Sequence, residues 1–228
     1  MTQVVLSLFA LATGVDVAAI VFDIAPVRWV SKLVLMPLLV VYFIAESRLT
    51  RNQHRIIALA LIAAWLADAA LLPDGELMFM AGIALFGIMQ VLYMWVFISQ
   101  GAIRGAVRRW PLPAALLLLW LVFNVVFWKD FAAFAAPVGI YSLLLISMAA
   151  LAAGMEETRV RYGALMFVAS DLMIGLELAD IDFTGRAEAI MITYAVAQYL
   201  IVSGLLEIFR NDPGEPHRSP DTRLGAPL

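Results

Sequence analysis

Five ionisable side chains interrupt otherwise apolar stretches of the sequence, and these are the residues that could do chemistry there. They are Asp16, Lys32, Asp68, Asp171 and Glu177. A charged side chain inside a membrane span is costly and usually faces the interior of a helix bundle, so each is a candidate for a functional role. Asp68 and Asp171 are the candidate catalytic residues, because a short aspartate side chain that deep in a span cannot reach water alone.

The same five residues also have structural interpretations. Asp16 and Glu177 lie toward the ends of their spans, where we expect them to reach the lipid headgroups. Lys32 could extend to the membrane surface, or it could neutralise a buried carboxylate. Asp68 and Asp171 could likewise serve only as partners in buried pairs.

Four uncharged polar residues accompany the two aspartates, each on the span that follows an aspartate. They are Gln90, Tyr93, Tyr194 and Gln198. Together with Lys32 they are our candidate substrate-binding residues. The alternative interpretation is that they form hydrogen bonds between helices.

The other residue types narrow the chemistry further. The chain has no cysteine, which excludes a thiol nucleophile and a cysteine-ligated metal site. No nucleotide-binding loop, HExxH helix or GxSxG elbow is present. The two histidines, His54 and His217, fall in an expected cytoplasmic connection and in the C-terminal tail. We therefore predict carboxylate chemistry without a histidine triad, a metal or a cofactor.

The composition explains why those few polar residues stand out. Of 228 residues, 64% are hydrophobic and 14% charged, whereas soluble domains are roughly 45–50% apolar and about 25% charged. The net charge is −3 and there is no basic block, which argues against nucleic-acid binding. The composition predicts a polytopic membrane protein surrounded by lipid.

Apolar stretches long enough to cross the hydrocarbon core, about 20 residues, occur eight times. The predicted spans are 3–22, 27–45, 56–72, 77–99, 112–128, 133–154, 162–179 and 188–209. We predict an all-α, eight-helix transmembrane domain over residues 1–210 and a disordered, Pro-rich cytoplasmic tail over 211–228. Pro37 and Pro137 fall inside the second and sixth spans and predict kinks there.

Basic residues are concentrated in alternate connections. Eleven arginines fall on one side of the predicted spans, and three Lys or Arg residues fall on the other. Because cytoplasmic loops are enriched in Lys and Arg, we predict that both termini are cytoplasmic and that the chain is a multi-pass protein of the plasma (inner) membrane.

The two halves of the chain carry a weak internal repeat. Ala67-Asp68 on the third span and Ser170-Asp171 on the seventh are each followed by a polar pair on the next span. The copies are four spans apart, so the pattern suggests a 4+4 parallel repeat. Lys32 has no evident counterpart in the sixth span.

The seventh and eighth predicted spans carry the most specific motif. The segment GALMFVASD, residues 163–171, followed by Tyr194-x-x-x-Gln198, resembles the signature of the YhhN-type lysoplasmalogenase family. Lys32 and the Phe86/Tyr93 pattern agree with it, and the resemblance extends over residues 20–210. Eight spans are also the number found in that family.

The chain departs from the family pattern at three positions. Ala67 stands where the family often has glycine before the first aspartate, and Leu33 stands where it often has proline after the lysine. Gln90 stands where a histidine commonly precedes the tyrosine of the fourth span.

The resemblance implies hydrolysis of the vinyl ether of a lysoplasmalogen, a single-chain phospholipid, to a fatty aldehyde and a glycerophosphodiester. It implies that Asp68 and Asp171 are the catalytic residues. Vinyl ethers are cleaved by acid, and a carboxyl group near a second carboxylate in a low dielectric can supply the proton. Either aspartate could be the acid by this reasoning, and the sequence leaves the oligomeric state open. The alternatives are a small proton-coupled transporter and a non-catalytic lipid-binding membrane protein.

Overall fold

The computed structural model describes residues 2–47 and 52–211, and all regular structure in these residues is helical. A single turn of 3-10 helix, Ala132–Phe134, precedes the seventh α-helix. The α-helices of the described residues are α1 (Thr2–Val21), α2 (Ala25–Ser47), α3 (Asn52–Ala70), α4 (Glu76–Ser99), α5 (Ala102–Arg108), α6 (Pro111–Phe127), α7 (Ala135–Ala153), α8 (Thr158–Leu178) and α9 (Arg186–Asn211). The predicted all-α class is confirmed. Apart from Asn211, the predicted tail lies outside the described residues.

Each of the eight predicted spans coincides with one long helix, with ends that differ by a few residues. The short helix α5 was not predicted. It lies in a connection that contains Arg104, Arg108 and Arg109, and this charge indicated a surface loop. In the structure α5 packs against α7, and the backbone turns into it at Gly101, whose φ of 81° is in the left-handed region that glycine adopts without strain.

Six helices of the described residues are long and apolar enough to cross a membrane, or seven if α5 and α6 form one span bent by 89°. Helix α8 is similar in length to these six helices, but it is not one of them by composition, because it contains four charged residues. They are Arg159, Arg161, Asp171 and Glu177. The protein is therefore a multi-pass membrane protein, and the predicted count of eight spans is not confirmed.

Two prolines were predicted to kink the spans that contain them. Pro37 lies in the interior of α2. Pro137 is the third residue of α7, where a helix has no acceptor for the backbone N–H that proline lacks. The predicted interior kink at Pro137 is therefore wrong, because the helix begins later than the apolar stretch does.

Helices that are neighbours in sequence pack as pairs, and the two halves of the chain meet through further contacts, among them one between α1 and α9. The pairs are α1 with α2, α3 with α4, α6 with α7 and α8 with α9. Helix α4 contacts α7, and α9 contacts α2. A parallel 4+4 repeat would produce two such equivalent contacts. The repeat itself stays a prediction.

Small residues bring α8 and α9 into backbone contact. A Cβ atom on Gly163 would lie 2.9 Å from the carbonyl oxygen of Ala197 and 2.9 Å from the backbone nitrogen of Ile201. Close approach of this kind is how membrane helices associate without a hydrophobic driving force. Because Gly163 lies about two helical turns from Asp171, the contact fixes the position of Asp171 relative to α9.

We expect Gly163→Ala to destabilise the protein by about 1–3 kcal/mol, because an added methyl group would overlap backbone atoms that cannot move freely. The measurement is the Tm of the purified protein in detergent. Gly14→Ala is the matched control, since Gly14 is also helical and has no atom within 4 Å of the added methyl group. Equal Tm values for the two variants would contradict the proposed contact.

Candidate functional site

A cavity of about 840 Å³ opens at the end of the bundle where α1 joins α2, α3 joins α4 and α8 joins α9. Lys32, Tyr141 and Asp171 line its deeper part, and aromatic side chains such as Phe86, Trp120 and Phe123 line its walls. The residues that carry charge near its mouth are Asp23, Arg28, Asp74, Glu177 and Asp180. The volume is in the range of small-molecule binding sites.

The first predicted aspartate lies just behind the cavity wall. Asp68 is only 2% exposed, and its Oδ1 is 3.9 Å from the Nζ of Lys32. The hydroxyl of Tyr194 donates a hydrogen bond of 2.8 Å to Asp68 Oδ2. Helices α2, α3 and α9 thus meet at one carboxylate, and three of the predicted site residues lie together.

The second predicted aspartate lines the cavity directly. The hydroxyl of Tyr141 on α7 donates a hydrogen bond to Asp171 Oδ2. Asp171 is also close enough to Asp68 for the two carboxyl groups to interact electrostatically. The structure therefore brings both predicted catalytic residues into one polar cluster with Lys32.

Tyr141 is a site residue that the sequence analysis missed. Tyr141 contacts Asp171 from α7 as Lys32 contacts Asp68 from α2, so in the predicted repeat Tyr141 would be the counterpart of Lys32. The signal was available, because a tyrosine lies within the sixth predicted span. Without the internal repeat as a guide, a tyrosine in an apolar helix is not distinguishable from a packing residue.

The remaining predicted binding residues lie deeper than the cavity wall. The hydroxyl of Tyr93 donates to Gln198 Oε1 at 2.9 Å, and Gln198 Nε2 lies 3.2 Å from the sulfur of Met89. Gln90 is fully buried and adjoins the Tyr141 hydroxyl. The Tyr93–Gln198 hydrogen bond connects α4 with α9, as the alternative interpretation expected, whereas the Gln90 amide has no hydrogen-bond partner among the described residues. Direct substrate contact by Gln90, Tyr93 and Gln198 stays a prediction.

Asp16 is not the interfacial residue that we expected, because α1 turns it toward α2. It is 0% exposed and accepts a hydrogen bond of 2.6 Å from the hydroxyl of Ser31. It is close enough to Lys32 to interact electrostatically. Glu177, in contrast, is exposed and forms an ion pair of 3.1 Å with Arg186.

His54 lies in the first turn of α3 and not in a connecting loop as predicted. It is 4% exposed, and its ring contacts Phe209 with a centroid distance of 4.7 Å. The helix begins earlier than the apolar stretch, which explains the difference. His54 is not among the residues that line the cavity. Within residues 2–47 and 52–211, no group of three or more His, Asp or Glu side chains could hold a metal ion.

A small polar cluster on α6 and α7 also faces the cavity. Asn124 Nδ2 donates to Ser142 Oγ at 3.2 Å, and Trp120 Nε1 donates to the same oxygen at 3.1 Å. Asn124 is 5% exposed, and its Oδ1 has no hydrogen-bond partner within the described part of the chain. A buried acceptor without a donor is unfavourable.

Together these groups can carry out acid and base chemistry with carboxyl groups in a site shielded from bulk water. Two carboxyl groups supply and accept protons, one ammonium group supplies positive charge, and two phenols orient the carboxyl groups. A ligand in the cavity would contact Asp171 and Lys32 directly and Asp68 only through Lys32.

We expect Lys32→Met to destabilise the protein by on the order of 3 kcal/mol, because it leaves a buried carboxyl group without its cationic partner. Replacing Asp68 as well, in the double variant Lys32→Met with Asp68→Asn, should recover most of the loss. The measurement is Tm in detergent for the two single variants and the double variant. The chain has only one other lysine, the exposed Lys129, so Lys129→Met is the control. A lower Tm for the double variant than for either single variant would argue against the pair.

Comparison with known proteins identifies the family of the chain. The sequence model of the YhhN family matches residues 27–205, which include every candidate residue of the polar cluster except Asp16. No curated protein and no solved structure matches the chain significantly. Because the match covers most of the sequence, this chain belongs to the YhhN family.

Proposed function

We propose that the protein is an intramembrane hydrolase that cleaves the vinyl-ether bond of lysoplasmalogen-type lysophospholipids. The products are a fatty aldehyde and a glycerophosphodiester. The observation that carries the proposal is the position of Asp171. It lines a cavity of ligand size, receives a hydrogen bond from Tyr141 and lies near a second buried carboxyl group, Asp68.

The reaction needs a proton donor and one water molecule. A carboxyl group transfers its proton to the alkene carbon that is not bonded to the ether oxygen, and the carbon that carries the oxygen becomes an oxocarbenium ion. Water adds to that carbon, and a carboxylate takes up the proton that the water loses. The hemiacetal then breaks its bond to the glycerol oxygen, which regains a proton as the aldehyde forms.

We assign these roles to the two aspartates from their positions. Asp171 is the proton donor, because its carboxyl group lines the cavity and Tyr141 orients it. Asp68 is held by Lys32 and Tyr194 behind the wall, where it offsets the ammonium charge that would otherwise repel the cation, and the carboxylate that Asp171 becomes stabilises the cation directly. Gln90 and Gln198 adjoin the hydroxyls of Tyr141 and Tyr194, and contact of Gln90, Tyr93 and Gln198 with the substrate stays a prediction.

The charges near the mouth fit a zwitterionic headgroup. Arg28 is the arginine among the described residues that line the cavity, and it can pair with the phosphate. Carboxylates such as Asp23 and Asp74 can pair with the ammonium group of ethanolamine or choline. Asn124 and Ser142, which line the cavity, can form a hydrogen bond with the free hydroxyl that distinguishes a lysophospholipid from a diacyl lipid.

The orientation of the protein follows from its arginines. We place it in the plasma (inner) membrane with both termini in the cytoplasm, because the basic connections favour that side. The cavity then opens toward the outer surface, and the substrate is a lipid of the outer leaflet.

We expect Asp171→Asn to abolish aldehyde release and Asp68→Asn to reduce it by at least about a hundredfold, since each removes a carboxyl group that the reaction uses. Purified protein would be incubated with a lysoplasmalogen, and the aldehyde and the glycerophosphodiester would be measured together. Asp130→Asn is the matched control, because Asp130 is exposed and is not among the residues that line the cavity.

Turnover by Asp171→Asn at the rate of the unmodified protein would contradict the mechanism. Lysophospholipid flux that depends on a pH gradient, with no covalent change in the lipid, would indicate a proton-coupled carrier. Stoichiometric binding without either activity would indicate a lipid-binding protein.

A further inference from the structure

A second depression, with a volume of about 680 Å³, lies between α4 and α7 on the outside of the bundle. Ile88 is 52% exposed and Ile140 is 66% exposed, so the depression is a groove open to the surrounding lipid. All of its lining side chains are apolar apart from the phenol of Tyr141. They are Met80, Ile83, Ala84, Gly87, Ile88, Val91, Leu92, Ala136, Pro137, Ile140, Tyr141 and Leu144.

The groove and the polar cavity are adjacent, and Ile83 and Tyr141 line both of them. Tyr141 donates its hydroxyl hydrogen to Asp171. The boundary between the apolar groove and the charged cavity therefore lies at the side chain that orients the proposed proton donor.

A single-chain ether lipid has the same division along its length. Its headgroup and glycerol are polar, its hydrocarbon chain is apolar, and the ether bond joins the two parts. We infer that the groove between α4 and α7 binds the hydrocarbon chain of the substrate, which reaches the site sideways from the bilayer. The inference rests on the proposed function, and it places the reacting bond beside Tyr141 and Asp171.

The dimensions of the groove fit this occupant. Its α4 wall extends from Met80 to Leu92, which is about 18 Å of helix. One leaflet accounts for about half of a hydrocarbon core roughly 30 Å thick, so a chain lying in the groove keeps the depth that it has in the membrane. Small residues, Ala84, Gly87 and Ala136, make the groove deep enough for a chain.

The arrangement also separates the products. The aldehyde keeps the hydrocarbon chain and can leave through the groove into lipid. The glycerophosphodiester is charged and leaves through the mouth near Arg28 and Asp74. Water reaches the ether bond from the cavity, because the groove offers it no hydrogen-bonding group other than the Tyr141 phenol.

The test is the dependence of turnover on chain length. Ala84 is exposed in the groove, so Ala84→Phe fills the groove without disturbing the core. We expect kcat/KM for substrates with long chains to fall by at least about tenfold, since the new ring displaces several methylene groups. Substrates with short chains should be hydrolysed as by the unmodified protein. Ala10→Phe is the matched control, because Ala10 is an exposed alanine on α1, away from the groove.

An unchanged chain-length profile in Ala84→Phe would overturn the inference while leaving the proposed function intact. A second measurement does not depend on catalysis. A non-hydrolysable lysophosphatidylethanolamine ether with a photoreactive group at the end of its chain should label residues 80–92 and 136–144, and Ala84→Phe should reduce that labelling.

Two results would overturn the inference. One is labelling that is spread over the other lipid-facing helices. The other is labelling that excess diacyl phosphatidylethanolamine removes as effectively as excess lysolipid does. If the groove is labelled selectively but no substrate of any chain length yields aldehyde, the lipid site stands and the proposed reaction fails.

Discussion

The contact between Lys32 and Asp68 joins two ionisable groups inside a bundle whose other buried residues are largely apolar, and the arrangement of α2, α3 and α9 depends on it. The two residues are 9% and 2% exposed. Burying either charge alone in such surroundings would cost free energy. The pair, with a hydrogen bond from Tyr194, offsets that cost. Each of the three helices must therefore present one particular face to the others.

The packing of small residues lets the helices approach closely enough to position this contact. Ala60, Ala64 and Ala67 are fully buried on α3, and Gly163 allows α8 to approach the backbone of α9. Helices that pack this closely leave their polar side chains little freedom to move apart. The polar cluster and the small residues are thus parts of one arrangement, and a larger side chain in the contact would also displace the carboxyl groups.

The sequence predicted the helices and the acidic centre of the site because both signals are strong. Long apolar stretches have few alternatives to helix in lipid, and an aspartate inside one is conspicuous. Asp68, Asp171 and Lys32 were found in this way. The position of a residue along a helix gives its depth, but it does not show which way the side chain faces. For that reason Asp16 was expected at the headgroups, although α1 turns it toward Ser31.

Other features of the site depend on contacts that residue type does not reveal. Tyr141 resembles a packing residue until Asp171 is placed beside it. The predicted binding residues Tyr93 and Gln198 form a hydrogen bond to each other and are not among the residues that line the cavity. A polar residue in a membrane helix satisfies its hydrogen-bonding groups with whichever neighbour the fold brings closest, and only tertiary structure identifies that neighbour.

The two halves of the site differ in one respect that bears on the proposed chemistry. Asp68 is held by an ammonium group, whereas Asp171 is held by a phenol in the equivalent place. An ammonium partner favours the ionised carboxylate, and a neutral phenol favours it less strongly. The half with the phenol is also the one that lines the cavity. A symmetric pair of lysines would hold both carboxyl groups as anions, and neither could then donate a proton to a substrate. In the proposed mechanism, the exchange of lysine for tyrosine between the two halves distinguishes the carboxyl group that stays paired from the one that donates a proton.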